Sequence, residues 1–289
     1  MQIVVVDRID WSPDEKNQRV DELPDGVRLI DGDAVLVNEE RETVAAQIIA
    51  GPESSGRLAW FGREMHSKPK IWHDNRHTAN ASSRLSGVLY PNRTFGTAAP
   101  SALRRRFWCS PATFDQQQPR IAIELRNLAV VAWETCQKVM PEAAEHTAET
   151  VYPKIHDDWL LFDSPWTSGI INKSAALPYH RDSGNIKGAI SAMWVVRSRI
   201  KGGYLHIPEY NVAFTCPNKS LIAFDGQSLW HGVTPFETEN HPDAFRFSVV
   251  YYAKTGCQKC GPAHSEAERA QLKRTEEHET HRDEVIENR

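Results

Sequence analysis

Leu177-Pro178-Tyr179-His180-Arg181-Asp182-Ser183-Gly184-Asn185 follows the β-rich run Ile170-Ile171-Asn172. In extended chain, residues two apart share a face, so the His180 imidazole and the Asp182 carboxylate can bind one metal ion together. A third donor lies in Ser228-Leu229-Trp230-His231-Gly232, on a later apolar strand. Two histidines and a carboxylate on one face of an octahedral ion leave three positions open, as in non-haem Fe(II) oxygenases. Arg181, between the first two ligands, is expected on the opposite face in a structural ion pair. His-x-Asp alone is common by chance. The ordered set carries the reading: His180-x-Asp182, apolar strands, His231, then Arg246-Phe247-Ser248. A guanidinium fork and a hydroxyl at Arg246 and Ser248 suit the far carboxylate of a dicarboxylic co-substrate such as 2-oxoglutarate.

Working outward, strand-like runs occupy 159–163, 167–173, 189–197, 203–207, 211–215, 220–224, 229–233 and 246–253, separated by turn signals such as Gly202-Gly203, Pro217-Asn218 and Asp225-Gly226. Eight strands at this spacing predict a double-stranded β-helix, the jelly-roll or cupin-like barrel, whose mouth is a natural metal pocket. Before them, Pro119–Met140 carries an apolar stripe through Ile121, Ile123, Leu125, Leu128, Val131 and Trp133, which predicts a helix closed by Pro141. A second helix is read across Glu142–Thr150, so the class is α+β, with helices flanking the barrel.

Residues 1–50 read as accessory strands or an extension of the core sheet, with a hairpin formed by 27–30 and 34–37 about Asp31-Gly32-Asp33, and 43–50 as either a short helix or a third strand. Residues 51–118 read as an irregular basic region. From Gly51 to Ser110 there are ten Lys/Arg against three Asp/Glu, interleaved with Trp60, Phe61, Trp72, Tyr90, Phe95, Phe107 and Trp108. Such a stretch could neutralise phosphates and stack on bases, or its aromatics could simply pack on a core. Residues 119–256 hold the helices and the barrel, and 257–289 a Cys-x-x-Cys turn and a charged, solvated helix. The whole chain has a formal charge of −4, so it is not a polycation. Five widely spaced cysteines do not form a disulfide framework and point to a reducing compartment. Cys257, Cys260 and His264 could be part of a zinc site; without a second cysteine pair they read as free thiols and a histidine at a surface turn. With no signal peptide or membrane-length apolar run, a soluble cytoplasmic protein is expected, without a membrane partner.

Four motifs give the chain a resemblance to the TET/JBP group of Fe(II)/2-oxoglutarate dioxygenases over residues 84–254. His180-Arg181-Asp182-x-x-Asn185 resembles the group's His-Arg-Asp-x-x-Asn, preceded by Trp166-Thr167-Ser168-Gly169. Gly202-Gly203-Tyr204-Leu205-His206-Ile207-Pro208 is similar to the segment whose histidine helps hold 2-oxoglutarate. His231-Gly232-Val233-Thr234-Pro235 resembles the distal iron-ligand segment. Arg246-Phe247-Ser248-Val249-Val250-Tyr251-Tyr252 resembles the co-substrate strand. The group includes animal 5-methylcytosine oxidases, kinetoplastid thymine hydroxylases and bacteriophage 5-methylpyrimidine dioxygenases.

The resemblance implies Fe(II) on His180, Asp182 and His231, and 2-oxoglutarate on Arg246, Ser248 and His206. It also implies O2 as oxidant, with ascorbate helpful in vitro, and a base flipped out of DNA and met by Asn185, Tyr252 and Lys254. The reaction implied is hydroxylation of a pyrimidine 5-methyl group in DNA, giving 5-hydroxymethylpyrimidine, succinate and CO2. The basic region then becomes a DNA cradle, with Arg84, Arg93, Arg104, Arg105 and Arg106 as contacts. The setting implied is a cell carrying that DNA, such as a phage-infected bacterium, and the protein is expected to be a monomer. Lys254 stands where cytosine-reading members carry histidine, and no cysteine-rich zinc region precedes the barrel, so 5-methylcytosine and thymine both stay open. The alternative is an Fe(II)/2-oxoglutarate hydroxylase of a free nucleoside, an amino acid or a protein side chain.

Overall fold

The computed structural model describes residues 1–16, 18–72, 91–101 and 106–287. In chain order its strands are β1 (Gln2–Val5), β2 (Arg28–Ile30), β3 (Ala34–Val37), β4 (Thr43–Ile49), β5 (Asn92–Ala98), β6 (Ser110–Pro111), β7 (Ser168–Lys173) and β8 (Ser191–Ser198). They continue as β9 (Ile200–Gly202), β10 (Leu205–Ile207), β11 (Val212–Phe214), β12 (Ser220–Phe224), β13 (Gly232–Val233), β14 (Phe236–Thr238) and β15 (Phe245–Tyr252). The helices are α1 (Pro52–His66), α2 (Thr113–Gln117), α3 (Pro119–Val139), α4 (Pro141–Val151) and α5 (Ala263–Glu287).

A large sheet runs β1-β3-β4-β12-β8-β15-β7-β5-β6 and faces a small sheet β13-β10-β11-β2, while β14 and β9 form a separate ribbon. This is the expected jelly roll. Alternation on the large sheet sorts its side chains into two cores. On β15, Phe247, Val249 and Tyr251 join Trp194, Leu125, Leu128 and Trp133 beneath the helices. On the other face, Met193, Val195, Ile222 and Phe224 pack against Leu205, Ile207 and Phe214 of the small sheet. Inward residues of β15 are therefore Arg246, Ser248, Val250 and Tyr252, and these shape the site.

Helix α3 forms as predicted. Ile121, Leu125, Leu128, Ala132 and Cys136 follow helical spacing and are buried, but Ile123 falls off that stripe and is exposed. Met140 caps it and Pro141 starts α4, where a missing N–H costs nothing.

Several expectations need correction. Residues 27–30 and 34–37 form no hairpin: β2 pairs parallel with β11 in the small sheet, whereas β3 pairs with β1 and β4 in the large one. Of the two readings of the first 50 residues, the extension of the core sheet is the one seen, since β1 to β4 join the barrel sheets and 43–49 is a strand. Within the segment read as an irregular loop, α1 buries Leu58, Phe61 and Met65 at helical spacing, and β5 pairs with β7. Pro, Gly and Ser disguised that helix, and Gly96, at φ +79°, disguised the strand. Phe61, Trp72 and Phe95 are core residues. Residues 159–163 form no strand: a short 3-10 turn ends at Trp159, and Trp159 and Leu161 are buried from bends. Cys109 and Cys260, 151 residues apart, are paired as a disulfide, with Cys257 buried beside them, so none is a free surface thiol. No helix among the described residues is long and apolar enough to cross a membrane.

Candidate metal centre and co-substrate pocket

His180 and His231 meet in an isolated antiparallel bridge, each backbone N–H donating to the other's carbonyl at 2.9 and 3.0 Å. Their Nδ1 atoms lie 2.8 Å from the Pro178 carbonyl and 3.0 Å from the Leu229 carbonyl. A carbonyl only accepts, so each Nδ1 carries a proton, which makes Nε2 the lone-pair nitrogen of the neutral ring. The two Nε2 atoms face Asp182: His180 Nε2 is 3.7 Å from Oδ1 and His231 Nε2 is 3.9 Å from Oδ2. One donor atom from each residue lies within 4.8 Å of the others. Burial, reinforced by His180, pushes His231 down to about 4, which keeps its imidazole neutral and competent as a ligand.

Asp182 lies in the turn after the bridge. Its backbone N–H donates to the Gly226 carbonyl. A Cβ on Gly226 would stand 2.7 Å from Asp182 Oδ2, so the Asp225-Gly226 turn needs glycine to let the carboxylate in. Asn185 Nδ2 donates to Ser191 Oγ at 3.1 Å and to Asp182 Oδ2 at 3.4 Å, which orients that carboxylate from behind.

The three donors open into a cavity of about 480 Å³, lined also by Asn185, Ser248, Tyr252 and Lys254. Burial raises the Tyr252 phenol above its usual range, so it stays neutral. Two residues before Ser248 on the same inward face, Arg246 is 1% exposed. Its Nη2 donates to the Gly203 carbonyl at 3.3 Å, and its Nε is buried without a hydrogen-bond partner. Among the described residues no carboxylate pairs with it. A buried, unpaired guanidinium is costly, and a carboxylate ligand would offset that cost. The donor set thus fits Fe(II), and the Arg246–Ser248 end fits the far carboxylate of 2-oxoglutarate.

Arg181 points away from the ligands, as expected. It pairs with Glu209 at 2.8 Å and lies over the Trp230 ring. Glu209, 2% exposed, also accepts the Trp230 N–H at 2.7 Å, so one carboxylate ties both ligand-bearing segments together. Sequence reading missed Glu209; nothing local marks an acid that pairs with residues over twenty positions away.

His206 stands apart from the donors of the metal cluster. Leu205 and Ile207 face the inner core, which turns His206 to the outer face of β10, where Tyr179 Oη lies 2.6 Å from its Nδ1. It pairs with Gly232, whose Cβ direction leads to Val20 and Tyr179, not to the cavity. Arg93 is 8% exposed and donates to the Asn92 carbonyl, on the same face of β5 as the core residue Phe95. Arg106 is half-buried and donates to the Ala99 carbonyl. Arg84, Arg104 and Arg105 lie outside the described residues.

Fold and site together define an Fe(II)/2-oxoglutarate-type oxygenase. The Tet_JBP family model, described as the oxygenase domain of the 2OGFeDO superfamily, matches residues 96–255, and the chain belongs to that family as a 2-oxoglutarate-dependent dioxygenase. A Trypanosoma brucei brucei protein named "Bifunctional helicase and thymine dioxygenase JBP2" is 30% identical over 103 residues, 35% of this chain; the match spans only 9% of that protein's length. The solved structure of NgTET1 in complex with 5mC DNA superimposes with a TM-score of 0.57 over 90% of this chain and 84% of that one, at 13% identity, a likeness of fold. The superfamily implies Fe(II), 2-oxoglutarate and O2.

Proposed function

We propose that this protein hydroxylates the 5-methyl group of a pyrimidine in DNA. The observation that carries the reading is one cavity that holds the His180–Asp182–His231 cluster and is lined by Ser248, with buried Arg246, which pairs with no carboxylate among the described residues, two residues away on the same face of β15. His180, Asp182 and His231 would hold the iron. Arg246 and Ser248 would grip the far carboxylate of 2-oxoglutarate and so set its other end toward the metal. When bound, iron and 2-oxoglutarate supply the oxidising power to insert one oxygen atom of O2 into a C–H bond, with succinate and CO2 as co-products.

The protein's own work is positioning. A methyl on a stacked base cannot reach a metal inside this cavity, so the nucleotide must be extruded, at a cost of a few kcal/mol. Tyr252, neutral and lining the cavity, supplies a ring for the extruded base. Asn185, whose amide N–H is spent on Asp182 and Ser191, would offer its carbonyl, and Lys254 its ammonium, to the base edge or backbone. Phe107, 54% exposed, is a candidate wedge in the basic segment, beside Arg104, Arg105 and Arg106. Arg84 would add a phosphate contact.

Nucleoside mass spectrometry tests this. Protein with Fe(II), ascorbate and 2-oxoglutarate is incubated with duplexes containing 5-methylcytosine or only thymine. A 5-hydroxymethyl product, absent with Asp182→Ala, is expected and names the base. Succinate formed with neither duplex altered would move the reaction to a substrate other than DNA.

A further inference from the structure

A second donor cluster lies outside the cavity. The sulfurs of Cys109, Cys257 and Cys260 fall within 4.8 Å of one another. Thiolates on a tetrahedral zinc, with Zn–S of about 2.3 Å, stand about 3.8 Å apart, within that spread. Cys109 precedes β6, Cys257 lies in the 3-10 turn Thr255–Lys259, and Cys260 caps that turn. Hydrogen bonds close the turn: the Cys257 N–H donates to the Lys254 carbonyl and the Cys260 N–H to the Cys257 carbonyl. A Cys-x-x-Cys closed in this way can chelate one ion with two sulfurs.

The surroundings hold the third sulfur in place. Glu266 is fully buried and its two oxygens accept from the Cys109 N–H at 2.7 Å and the Gly261 N–H at 3.0 Å. One carboxylate thus pins both sulfur-bearing segments, as outer-shell groups do at metal sites. Ala99, Ile155, Trp159, Ile186 and Ala253 close the apolar side, and Cys260 is half-buried, which leaves a route for an ion. His264 is exposed and stands outside the cluster. A disulfide uses two of the three sulfurs and leaves a buried thiol beside it, whereas a metal uses all three.

We propose that Cys109, Cys257 and Cys260 bind a structural zinc ion in the reduced protein, with water or a residue outside this set as the fourth ligand. The disulfide is the alternative state of the same cluster. A dithiol reductant supplies two electrons and two protons to open it, and zinc then displaces the thiol protons without redox change. The site sits one step behind the cavity. Thr255, at the start of the cysteine turn, donates its hydroxyl to the Asn185 carbonyl and its N–H to the Gly184 carbonyl. Zinc would therefore brace the cavity rim against β6 and α5.

The test uses the full chain carrying Asp182→Ala, so that the His–Asp–His centre does not compete. After reduction, zinc content is measured by elemental mass spectrometry, and Co(II) replaces zinc for absorbance. About one zinc per chain is expected, with thiolate-to-cobalt charge-transfer absorption that the sulfur-free centre cannot give. Cys260→Ser, at the least buried position, should weaken zinc binding at least about tenfold; Cys109→Ser serves if that variant misfolds by circular dichroism. No charge transfer in the reduced chain, or an undiminished band in both variants, would overturn the proposal. These readouts do not depend on the dioxygenase reaction.

Discussion

The His180–Asp182–His231 cluster and the buried Arg246 near it are built on opposite electrostatic terms. At the mouth, His180 and His231 already have their Nδ1 protons satisfied by backbone carbonyls, and Asp182 is held by Asn185 and the Gly226 turn. Two residues from the cavity-lining Ser248, Arg246 is buried with Nε unpartnered and no carboxylate beside it among the described residues. The mouth is organised before an ion arrives. The Arg246 charge is balanced only by an anion. That charge serves binding at the expense of the unliganded fold, as functional sites often do.

The largest expected effect separates the two by activity. Asp182→Ala removes a ligand outright and should lower turnover by more than the roughly 10–100-fold typical of outer-shell losses at metal sites. Because Asp182 is partly exposed, the melting temperature should stay near that of the parent; a collapse of the fold would show that the carboxylate is structural.

Arg246→Met should act the other way round. Removing a buried, unpaired charge should leave the apo chain at least as stable as the parent, while 2-oxoglutarate affinity falls on the order of 10²-fold. In the parent, co-substrate at 100 times its Kd should stabilise by about 2.7 kcal/mol. That ligand-dependent rise should vanish in the variant, as read by thermal shift. A destabilised apo variant would mean that the Arg246 charge is already balanced in the apo fold, beyond its bond to the Gly203 carbonyl.

Glu209→Gln tests the brace behind the mouth. Its partners Arg8 and Arg181 are substantially exposed, so the loss of stability should be modest, about 1–3 kcal/mol. Iron affinity should fall about 10–100-fold because both ligand segments loosen. Equal iron affinity in the two proteins would restrict Glu209 to a purely structural role.

The smallest effect is on pH. Burial lowers His206 to about 4 from the usual 6.5. The unfolded chain therefore binds that proton first as pH falls, and the neutral buried form favours folding only above this range. Stability of the apo protein should be full above about pH 6.5 and decline toward pH 4, by on the order of 3 kcal/mol for this group. His206→Gln, followed by denaturant titration across that window, should make the decline shallower, leaving the part due to His231, which burial also lowers to about 4. Since His206 faces away from the cavity, 2-oxoglutarate affinity should be unchanged, which distinguishes the structure from the role that the motif implied.

What the sequence made legible was local. The inward set Arg246, Ser248 and Tyr252 follows from strand alternation, and His180, Asp182 and His231 from motif spacing. The same alternation, once the pairing of β10 is known, turns His206 outward, but that pairing is not written in its own segment. Helix α1 and β5 were hidden because Gly, Ser and Pro imitate loop composition, while their burial comes from tertiary contact. Glu209 and the three-sulfur cluster join residues far apart in the chain, and no local pattern announces them.

Anaerobic titration of the Fe(II)-loaded chain with 2-oxoglutarate, followed by the metal-to-ligand absorbance that chelation produces, tests the two-part site most directly. A two-part site gives a saturable band at one equivalent of iron, absent in Asp182→Ala and requiring about 10²-fold more 2-oxoglutarate in Arg246→Met. No band in the parent, or equal affinity in Arg246→Met, would contradict it.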